Sequence, residues 1–590
     1  MNLRRTLLSV LIAGACAPAF AATVDMTSID DATIAPRFIV KYRTGSAERV
    51  QPQARQRALD AAAERARPQM GARIAGLRGT AALRINAIRA TSTGRHVVRA
   101  TQRLDRAQAE SLMRAIAADP NVEYVGVDRL MRPTALPNDP VLATHQIWHY
   151  GTGAGGARVT TAWDQGATGA GVVVAVIDTG ATPHADLAAN LLPSYDFITD
   201  HEVSGRATDD RAPGGWDLGD FTTPNQCGAG SPGSDSSWHG THVSGTIAEV
   251  TNNGVGGAGV AFNAKVVPVR ALGRCGGYTS DINDAIVWAA GGHIEGVPDN
   301  TNPAEVINLS LGGNHACEAD TQAAINQAVS LGATLVVAAG NDNDDVATHS
   351  PASCPNVVTV GATGASGQRA GYSNYGAGVD LSAPGGAGTE GVPNGYIWST
   401  HNAGKTTAAG DQYVGMTGTS MATPHVSGIV ALMQSVAPKP LTPAQVEGLL
   451  VNSARPFPTK PSRAIGSGIV DAAAAVEQAK RFGQPIVAVP LTDNVVETMA
   501  PLAAGQSAIY AIDVPAGKAR LEFVSYSGRG TLTVLANYEA EPLPSAKIGS
   551  SERPGTNQTI TIASPAAGRY YFKVKATADA AGVLIRARTY

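Results

Sequence analysis

Three residues of the types that carry acyl transfer each stand where an apolar stretch meets a turn. Asp178 directly follows the apolar run Val172 to Ile177, His239 opens a stretch that continues as a helical pattern, and Ser420 precedes another helical pattern. A serine hydroxyl is a weak nucleophile until a neighbouring base removes its proton, and a carboxylate can orient that base. The three residues therefore predict attack by Ser420 on a carbonyl carbon, with His239 as the base and Asp178 behind it.

Each of these residues also has an ordinary structural interpretation. An aspartate at a strand end or a serine before a helix is commonly a helix cap. The His239-x-x-His242 spacing suggests zinc, but zinc peptidases with an H-E-x-x-H motif place a glutamate between histidines four residues apart. That glutamate is absent here. We interpret His242 as a packed or hydrogen-bonded neighbour of the base.

The surroundings of Ser420 favour catalysis over capping. The serine lies in Gly418-Thr-Ser-Met-Ala-Thr-Pro-His425, just before an apolar helical stripe. Pro424 has no N–H and so frees a carbonyl group in the opening turn. The helix N-terminus provides N–H groups and positive potential where an oxyanion would form.

The segment from about Asp139 to Gln478 predicts a doubly wound, mainly parallel α/β sheet that would position these residues. Its apolar runs suit strands buried on both faces, and they are Gly171–Ile177, Ala264–Leu272, Glu305–Leu311, Thr334–Ala339 and Asn356–Gly361. Between them, Asp281–Ala290 and Asp320–Leu331 read as crossover helices. Working residues in such sheets gather beyond the carboxyl ends of the strands, which is where Asp178 stands.

Two further modules flank this segment. Between Pro36 and about Pro133, an arginine- and alanine-rich stretch predicts a small α+β module with strand Arg37–Tyr42, helix Ala107–Ala118 and strand Asn121–Asp128. After a helix near Ala473 to Lys480, short strands between Pro and Gly turns predict a β-sandwich. Those strands are Ser507–Val514, Ala519–Val524, Thr531–Leu535, Gln558–Ile562, Gly568–Lys575 and Val583–Ala587. The expected domain boundaries are 1–21, 22–135, 136–482 and 483–590.

The first 21 residues have the pattern of an export signal. Arg4 and Arg5 precede the apolar run Leu7 to Ala15, and Ala19-Phe-Ala21 provides a small-residue cleavage site. The run is too short for a stable membrane-spanning helix, and no later segment offers about 20 apolar residues. We expect an exported protein without a membrane span. A short membrane anchor and a lipidated Cys16 are the alternatives.

The cysteines indicate an oxidising compartment. Of the five, Cys16 leaves with the signal, and an even number in an exported protein predicts two disulfides. Three pairings of the remaining four are possible. Closure of the shorter loops favours Cys227 with Cys275 and Cys317 with Cys354, and the lack of a Cys-x-x-Cys pair argues against metal binding.

Composition limits the partners only weakly. The 590 residues exceed what one hydrophobic core serves, so several domains are expected. A formal net charge of −3 gives no reason to expect nucleic acid or an anionic membrane as a partner. Charge therefore says nothing about the substrate.

Four short blocks together resemble the subtilase family (peptidase S8), the subtilisin-like serine proteases. They are Val176-Ile-Asp-Thr-Gly180 around the acid, His239-Gly-Thr-His-Val243 around the base, Ala338-Ala-Gly-Asn341 at a strand end, and Gly418-Thr-Ser-Met-Ala-Thr-Pro-His425 around the nucleophile. They occur in the family's order, and the chain order Asp, His, Ser is that of subtilisin. The resemblance implies a subtilisin-like fold and a serine endopeptidase that acts through an acyl-enzyme.

The resemblance also assigns residues to the substrate. Asn341 is expected to supply the side-chain donor of the oxyanion hole, beside the backbone N–H of Ser420. The stretch Ile307–Gly313 is similar to the family's substrate-binding strand, which pairs with an extended peptide. The expected substrate-binding residues are Ser310, Leu311, Gly312, Gly313, Ala338 and Gly340.

Calcium is a further implication of the resemblance. The start of the mature chain at Pro137–Pro140 and the pair Asp186-Leu187 look like family positions that share one structural ion with a following loop. Asp139 and Asp186 are expected ligands, together with Asn252 or Asn253. The loop is one residue longer than the usual pattern, so the choice of asparagine stays open. Solvated surface acids are the alternative, and no cofactor is expected for catalysis.

The flanking modules acquire functions by the same resemblance. The segment from Pro36 to about Pro133 resembles the family's inhibitory prodomain, which assists folding and occupies the cleft until it is cut off near Arg132 to Pro137. The tail from about Ile486 looks like the bacterial pre-peptidase C-terminal domain. We expect a secreted monomer, exported through the periplasm, whose partners are protein or peptide substrates and its own prodomain.

Two other functions fit the same motifs. A catalytically silent subtilase would use its groove and sandwich as a binding module, although a binder has no need to keep a complete triad and Asn341. A peptide ligase or cyclase would form the same acyl-enzyme and resolve it with an amine instead of water. Product mass separates the endopeptidase from the ligase, because hydrolysis adds water and ligation joins fragments.

Overall fold

The computed structural model describes residues 22–25, 37–74, 83–101, 104, 106–128, 136–483, 486, 488–504, 506–539, 541–542 and 547–590. The chain divides into two units, Met1–Thr134 and Ala135–Tyr590. The predicted export signal and the expected processing region at 132–135 lie outside the described residues.

The first unit is a five-stranded sheet covered by helices. Its elements are β1 (Thr23–Val24), β2 (Arg37–Tyr42), α1 (Ala47–Val50), α2 (Pro52–Ile74), β3 (Ile85–Ala90), β4 (His96–Ala100), α3 (Arg106–Ala117) and β5 (Val122–Val127), and the strand order is β1-β5-β2-β4-β3. Alternate residues of β2 are buried, and Phe38, Val40 and Tyr42 share a core with Leu59 of α2 and Leu112 of α3.

The second unit begins with a doubly wound α/β segment. Its strands are β6 (Val173–Asp178), β7 (Tyr195–Asp196), β8 (Ala212–Pro213), β9 (Lys265–Arg270), β10 (Val306–Leu309), β11 (Thr334–Ala338), β12 (Val358–Thr363), β13 (Leu381–Pro384), β14 (Ile397–Asn402) and β15 (Asp411–Met416). Its helices are α4 (Ile147–Tyr150), α5 (Val159–Asp164), α6 (His201–Ser204), α7 (His239–Ala248), α8 (Thr279–Ala289), α9 (Ala319–Ser330), α10 (Thr419–Val436), α11 (Pro443–Ser453) and α12 (Ala472–Arg481). A π-helical turn at Leu142–Gln146 and 3-10 turns at Ala188–Asn190 and Val346–Thr348 complete it.

Eight strands form the central sheet in the order β13-β12-β11-β10-β6-β9-β7-β8, and all neighbours are parallel except β7 and β8. The sheet is buried on both faces, as the valine-rich runs predict: Val174 and Val176 pack in one core cluster, whereas Ala175 and Ile177 pack in another. The predicted doubly wound α/β sheet is confirmed. β14 and β15 form a separate antiparallel hairpin.

The strand order places β6 at a topological switch point. From β6 the chain first builds β9 and β7 on one side and later β10 to β13 on the other. A crevice opens at the carboxyl ends of strands where the winding direction changes in this way. Asp178 is the last residue of β6, and Ser310 directly follows β10 on the far side of this switch.

The chain ends in two packed β-sheets. They contain β16 (Val489–Pro490), β17 (Glu497–Thr498), β18 (Ser507–Val514), β19 (Arg520–Tyr526), β20 (Arg529–Tyr538), β21 (Gly549–Ser551), β22 (Gln558–Ala563), β23 (Gly568–Ala581) and β24 (Leu584–Thr589). One sheet has the order β16-β18-β23-β20-β21 and the other β17-β24-β19-β22. Phe523 of one sheet stacks on Phe572 of the other with ring centroids 4.4 Å apart, so the sheets enclose an apolar core.

Both expected disulfides are present in the second unit. Cys227 is joined to Cys275 and Cys317 to Cys354, which is the pairing that shorter loop closure favours. Over the described part of the chain, none of the helices has the length and apolarity needed to cross a membrane.

Candidate active site

Asp178 and His239 form a hydrogen-bonded pair at the carboxyl end of β6. The carboxylate is fully buried, and its two oxygens lie 2.8 and 2.9 Å from His239 Nδ1. An ionised carboxylate only accepts hydrogen bonds, so Nδ1 carries the proton and Nε2 is left with a free lone pair. The backbone N–H of Thr179 donates to the same carboxylate at 2.7 Å and fixes its orientation.

The position of His239 is set by the residue before it. Trp238 is fully buried in a left-handed backbone conformation, with φ of 49°, and its indole N–H donates to the Gly404 carbonyl oxygen at 2.6 Å. Such a conformation is uncommon for a residue other than glycine and persists only where the surroundings enforce it. His239 then begins α7, whose remaining residues are all buried. The base therefore stands on a rigid element.

Several groups act on the pKa of His239. Burial of the ring lowers the pKa, but the charge and hydrogen bond of Asp178 and the charges of Asp220 and Asp217 raise it, and the net result is a pKa above the usual value. The imidazole serves as a base only when it is neutral. Activity that depends on this base must rise as the pH passes upward through that raised pKa.

Ser420 is the second residue of α10 and lies against the segment that follows β10. Its hydroxyl donates to the Ser310 carbonyl oxygen at 3.2 Å, and the Ser310 hydroxyl donates to the Ser420 carbonyl oxygen at 2.8 Å. Within the described ranges no hydrogen bond joins Ser420 Oγ to His239. Catalytic hydrogen bonds are often absent or long in a free enzyme and form in the substrate complex.

A cleft of about 780 Å³ connects the base with the predicted substrate strand. Its walls include His239 together with Ser310, Leu311, Gly312 and Gly313. Ser310 lines this cleft and is hydrogen-bonded to Ser420, whereas Ser420 itself is not among the residues that line it. The structure thus pairs Asp178 with His239, places Ser310–Gly313 in the same cleft as His239, and joins Ser420 to Ser310.

Asn341 lies near the end of β11, where its amide is held by the turn that precedes Ser420. Its Oδ1 accepts from the backbone N–H of Thr419 at 2.8 Å and from the Thr419 hydroxyl at 2.9 Å. A Cβ placed on Gly418 would lie 3.6 Å from both Asn341 Nδ2 and the Ser420 backbone nitrogen. Asn341 Nδ2 and the Ser420 backbone nitrogen therefore both lie beside Gly418, which agrees with the expectation that they serve one oxyanion.

Ala338 and Gly340 lie behind Asn341 and are not among the residues that line the cleft. Ala338 is a buried residue of β11, and the Gly340 backbone N–H donates to the Thr419 hydroxyl at 3.2 Å. Gly340 has a φ of +104°, and a Cβ there would come within 2.2 Å of Asn374 Nδ2. In the structure, Ala338 and Gly340 therefore support the backbone that leads to Asn341 and do not line the cleft.

Sequence reasoning missed a second buried carboxyl group beside the pair. The Thr179 hydroxyl donates to Asp217 Oδ2 at 2.6 Å and accepts from the Gly240 backbone N–H at 3.0 Å, so Asp217 helps to link the end of β6 to the start of α7. Burial raises the pKa of Asp217 to about 7. Asp217 sits in an irregular loop without a motif, so no pattern in the sequence could have singled it out.

The four expected calcium ligands are also close together, but they differ in their surroundings. The carboxylate of Asp139 accepts from the backbone N–H groups of Asn252 at 2.6 Å and Asn253 at 3.0 Å. N–H donors repel a cation, so this part of the cluster fits a loop cap better than a metal ligand. Asn252 contributes its side-chain oxygen to the N–H of Asn138 at 3.4 Å.

The Asp186 side of this cluster contains a second carboxyl group, that of Glu249. The Asp186 carboxyl is hydrogen-bonded to the buried carboxyl of Glu249, and burial raises the pKa of both groups. The Asn253 amide and the Tyr413 hydroxyl also contact Asp186. Carboxylate oxygens are ligands of the kind calcium prefers, but both Asp186 oxygens accept from these donors, so an ion at this position would have to displace them and the proton that the two carboxyl groups share.

Fold and site together define a serine hydrolase. A profile of the subtilase family (peptidase S8) matches residues 169–468. The "Extracellular protease" of Xanthomonas campestris pv. campestris is 46% identical over 597 positions, which cover 99% of this chain and 99% of the relative. The "Extracellular basic protease" of Dichelobacter nodosus is 45% identical over 75% of this chain and 70% of its own. A solved protease from Pseudoalteromonas arctica is 52% identical, with a TM-score of 0.56 over 58% of this chain and 100% of that one.

The chain belongs to the subtilase family, and it is a serine-type endopeptidase. The resemblance carried by the four sequence blocks is thereby confirmed, as is the α/β fold class.

Proposed function

We propose that this endopeptidase is secreted and cleaves proteins with Ser420 as nucleophile, His239 as general base and acid, and Asp178 as the group that orients the imidazole. The observation that carries this proposal is the buried Asp178–His239 hydrogen bond at the switch point, beside a cleft lined by Ser310, which is hydrogen-bonded to Ser420. The near full-length similarity to a protein named extracellular protease supports secretion.

The reaction follows from the roles of these groups. His239 Nε2 takes the proton of the Ser420 hydroxyl as Oγ attacks the scissile carbonyl carbon. The resulting imidazolium is stabilised by the Asp178 carboxylate and then gives its proton to the leaving amine. Water then attacks the acyl-enzyme while His239 takes a proton from it, and the imidazolium gives that proton to Ser420 Oγ as the carboxylic acid product leaves. Negative charge on the former carbonyl oxygen is met by Asn341 Nδ2 and the Ser420 N–H.

Substrate selection in this proposal rests on backbone pairing. An extended peptide would add to the segment Ser310–Gly313, which leaves the end of β10 along the cleft wall. Strand addition uses main-chain hydrogen bonds, so it accepts many sequences and suits an enzyme that degrades proteins. Protein and peptide substrates are the partners that this geometry serves.

The flanking modules are assigned roles by the same proposal. The first unit would act as an intramolecular chaperone and inhibitor that is removed near residues 132–137, after export through the periplasm. The match to the solved protease covers all of that chain but only 58% of this one. This supports the proposal that the peptidase segment exists without the flanking modules. We propose a monomeric mature enzyme, with the C-terminal sandwich as a pre-peptidase type domain.

Removal of the Asn341 amide tests the oxyanion hole. Asn341→Leu keeps the size of the side chain but offers no N–H, so kcat should fall by about 10²- to 10³-fold with little change in KM. The charge on the oxygen appears only during attack, and the amide therefore contributes mainly to the transition state. Steady-state kinetics on a chromogenic peptide would measure this.

Asn326→Leu is a matched control for this variant, because Asn326 is an exposed asparagine of α9 whose amide oxygen accepts from the side chains of Gln322 and Asn356. An equal loss of kcat in the control, or an Asn341→Leu variant whose loss lies in KM, would contradict the assignment.

Calcium would be held by Asp186 with Asn253 and Glu249 nearby, and its contribution would be to stability. Saturating calcium at about 100 times its Kd should stabilise the wild type by about 2.7 kcal/mol. Asp186→Asn should abolish this gain, because the substitution removes a charged oxygen ligand. Thermal unfolding with added calcium or with a chelator would measure it. Asp513→Asn, in the sandwich, should retain the full gain, and a gain that survives Asp186→Asn would refute the site.

Product analysis tests the proposed function as a whole. The wild-type chain is incubated with a mixed peptide library, and the products are sequenced by mass spectrometry. Internal cleavage with the addition of one water per bond is the expected result. Products trimmed only from their ends, fragments joined by new peptide bonds, or no products at all would each overturn the proposal.

A further inference from the structure

A buried chain of hydrogen bonds runs from the middle of α10 through β10 and back to Ser420. The Ser427 hydroxyl donates to Asn308 Oδ1 at 2.8 Å, and Asn308 Nδ2 donates to Ser310 Oγ at 2.9 Å. The Ser310 hydroxyl then donates to the Ser420 carbonyl oxygen at 2.8 Å. We call Ser427, Asn308 and Ser310 the Asn308 relay.

The direction of the relay is fixed by its members. The Ser310 hydroxyl has one hydrogen, which goes to the Ser420 carbonyl, so Ser310 Oγ can only accept from Asn308; the amide nitrogen therefore faces Ser310 and the amide oxygen faces the Ser427 hydroxyl. Ser310 Oγ thus uses both its acceptor and its donor capacity within the relay. Ser427 and Asn308 are fully buried and Ser310 is 3% exposed, so bulk water does not solvate the Ser427–Asn308 hydrogen bond.

The Ser420 carbonyl needs this outside donor because of Pro424. In an α-helix a carbonyl at one residue accepts from the N–H four residues later. Four residues after Ser420 is Pro424, which has no N–H. The Ser310 hydroxyl supplies the hydrogen bond that the helix itself cannot make.

The relay also ties the nucleophile to the substrate strand. Ser310 is joined to Ser420 twice, since its hydroxyl donates to the Ser420 carbonyl and its carbonyl accepts from the Ser420 hydroxyl. Ser310 is at the same time a wall of the cleft. A shift in the relay would therefore move the attacking oxygen relative to the bound peptide.

We propose that Asn308 and Ser427 are positioning residues for Ser420, acting through Ser310 in place of the helix hydrogen bond that Pro424 removes. This proposal rests on the proposed role of Ser420 as nucleophile. Neither residue contacts the cleft, so substitutions there should leave substrate binding intact and slow only the chemical step.

Ser427→Ala is the first test, measured on the full chain. Without its hydroxyl the Asn308 amide is no longer oriented, and kcat should fall by about 10- to 100-fold while KM stays within about twofold. Ser427→Thr restores a hydroxyl and should recover most of kcat. Ser382→Ala is the matched control, because Ser382 is also a fully buried serine whose hydroxyl donates to a backbone carbonyl, that of Ile465, at 2.8 Å.

A double-mutant cycle gives a readout that general destabilisation would not produce. Pro424→Ala restores an N–H four residues after Ser420, so the helix can again supply the hydrogen bond to the Ser420 carbonyl. Ser310→Ala should then reduce kcat by a smaller factor in the Pro424→Ala background than in the wild type. The coupling should exceed the roughly twofold spread expected for independent sites.

Two results would overturn the relay. One is a Ser427→Ala variant with kcat within about twofold of the Ser382→Ala control. The other is a Ser310→Ala factor that is the same in both backgrounds. Labelling by a fluorophosphonate distinguishes failure of the relay proposal from failure of the proposed function. If the wild type is labelled at Ser420 and cleaves peptides, Ser420 is the nucleophile even when the relay variants show no effect.

Discussion

Ser420→Ala should lower kcat for peptide hydrolysis by about 10⁶-fold. Without Oγ no acyl-enzyme forms, and neither His239 nor Asp178 has a proton transfer to perform. The residual rate would come from the oxyanion hole and from binding of the peptide along Ser310–Gly313, which together are worth about 10³- to 10⁴-fold over water. Labelling by a fluorophosphonate should disappear with the activity.

Ser435→Ala provides a control in the same helix. Ser435 lies near the far end of α10, and its hydroxyl donates to the Leu432 carbonyl oxygen at 2.8 Å, away from the cleft. This variant should hydrolyse peptides and accept the label at the wild-type rate. The full-length Ser420→Ala chain should also stay unprocessed, as its mass would show. Hydrolysis or labelling that survives the change would refute Ser420 as nucleophile.

Asp178→Asn should lower kcat by about 10⁴-fold, because the amide no longer holds the imidazole in the tautomer with its proton on Nδ1. The same change should shift the pH dependence. In the wild type the Asp178 charge and hydrogen bond raise the pKa of His239 against the opposing effect of burial. Removing a negative charge lowers that pKa, so the acid limb of the pH–rate profile should move to lower pH.

Asp217→Asn separates charge from orientation. The charge of Asp217 also raises the pKa of His239, but the Asp217 carboxyl is hydrogen-bonded to the Thr179 hydroxyl and not to the imidazole of His239. This variant should move the acid limb in the same direction by less and retain far more of kcat than Asp178→Asn. kcat/KM measured across the pH range would show both effects. An acid limb of Asp178→Asn that stays in place or moves upward would contradict the pairing.

The parts of the fold that sequence reasoning found are those with strong local patterns. The apolar run before Asp178 became β6, and the predicted strand Arg37–Tyr42 has the same bounds in the structure. The position of Asp178 at the carboxyl edge of the sheet could be predicted, because residues that follow parallel strands lie at that edge. Ser420 could be predicted to lie at the start of a helix. The sequence blocks around these residues then indicated a serine endopeptidase of the subtilase family.

The elements that were missed lack such patterns. β13 (Leu381–Pro384) has only four residues and ends in proline, and the hairpin strand Asp411–Met416 is partly exposed and mostly polar at its start. Short strands of this kind owe their pairing to tertiary contacts more than to propensity. β7 and β8 have two residues each, too few for a periodicity to appear.

The supporting residues of the site were out of reach for a different reason. Asn308 lies inside an apolar strand, where its partners Ser310 and Ser427 are set by the packing of α10 on β10 and not by spacing in the chain. Asp139 was expected to bind calcium from its position, whereas its N–H partners are visible only in three dimensions. Contacts between distant segments carry this information.

The register of β6 and β10 constrains how this enzyme can vary in length. Val176 is paired with Asn308, so Asp178 and Ser310 continue two residues further along neighbouring strands. Inserting one residue into either strand would displace its tip by about 3.3 Å and turn its side chains to the opposite face. Insertions and deletions among relatives should therefore be confined to the connecting loops, and chimaeras that exchange loops at strand ends should keep a working acid–base pair.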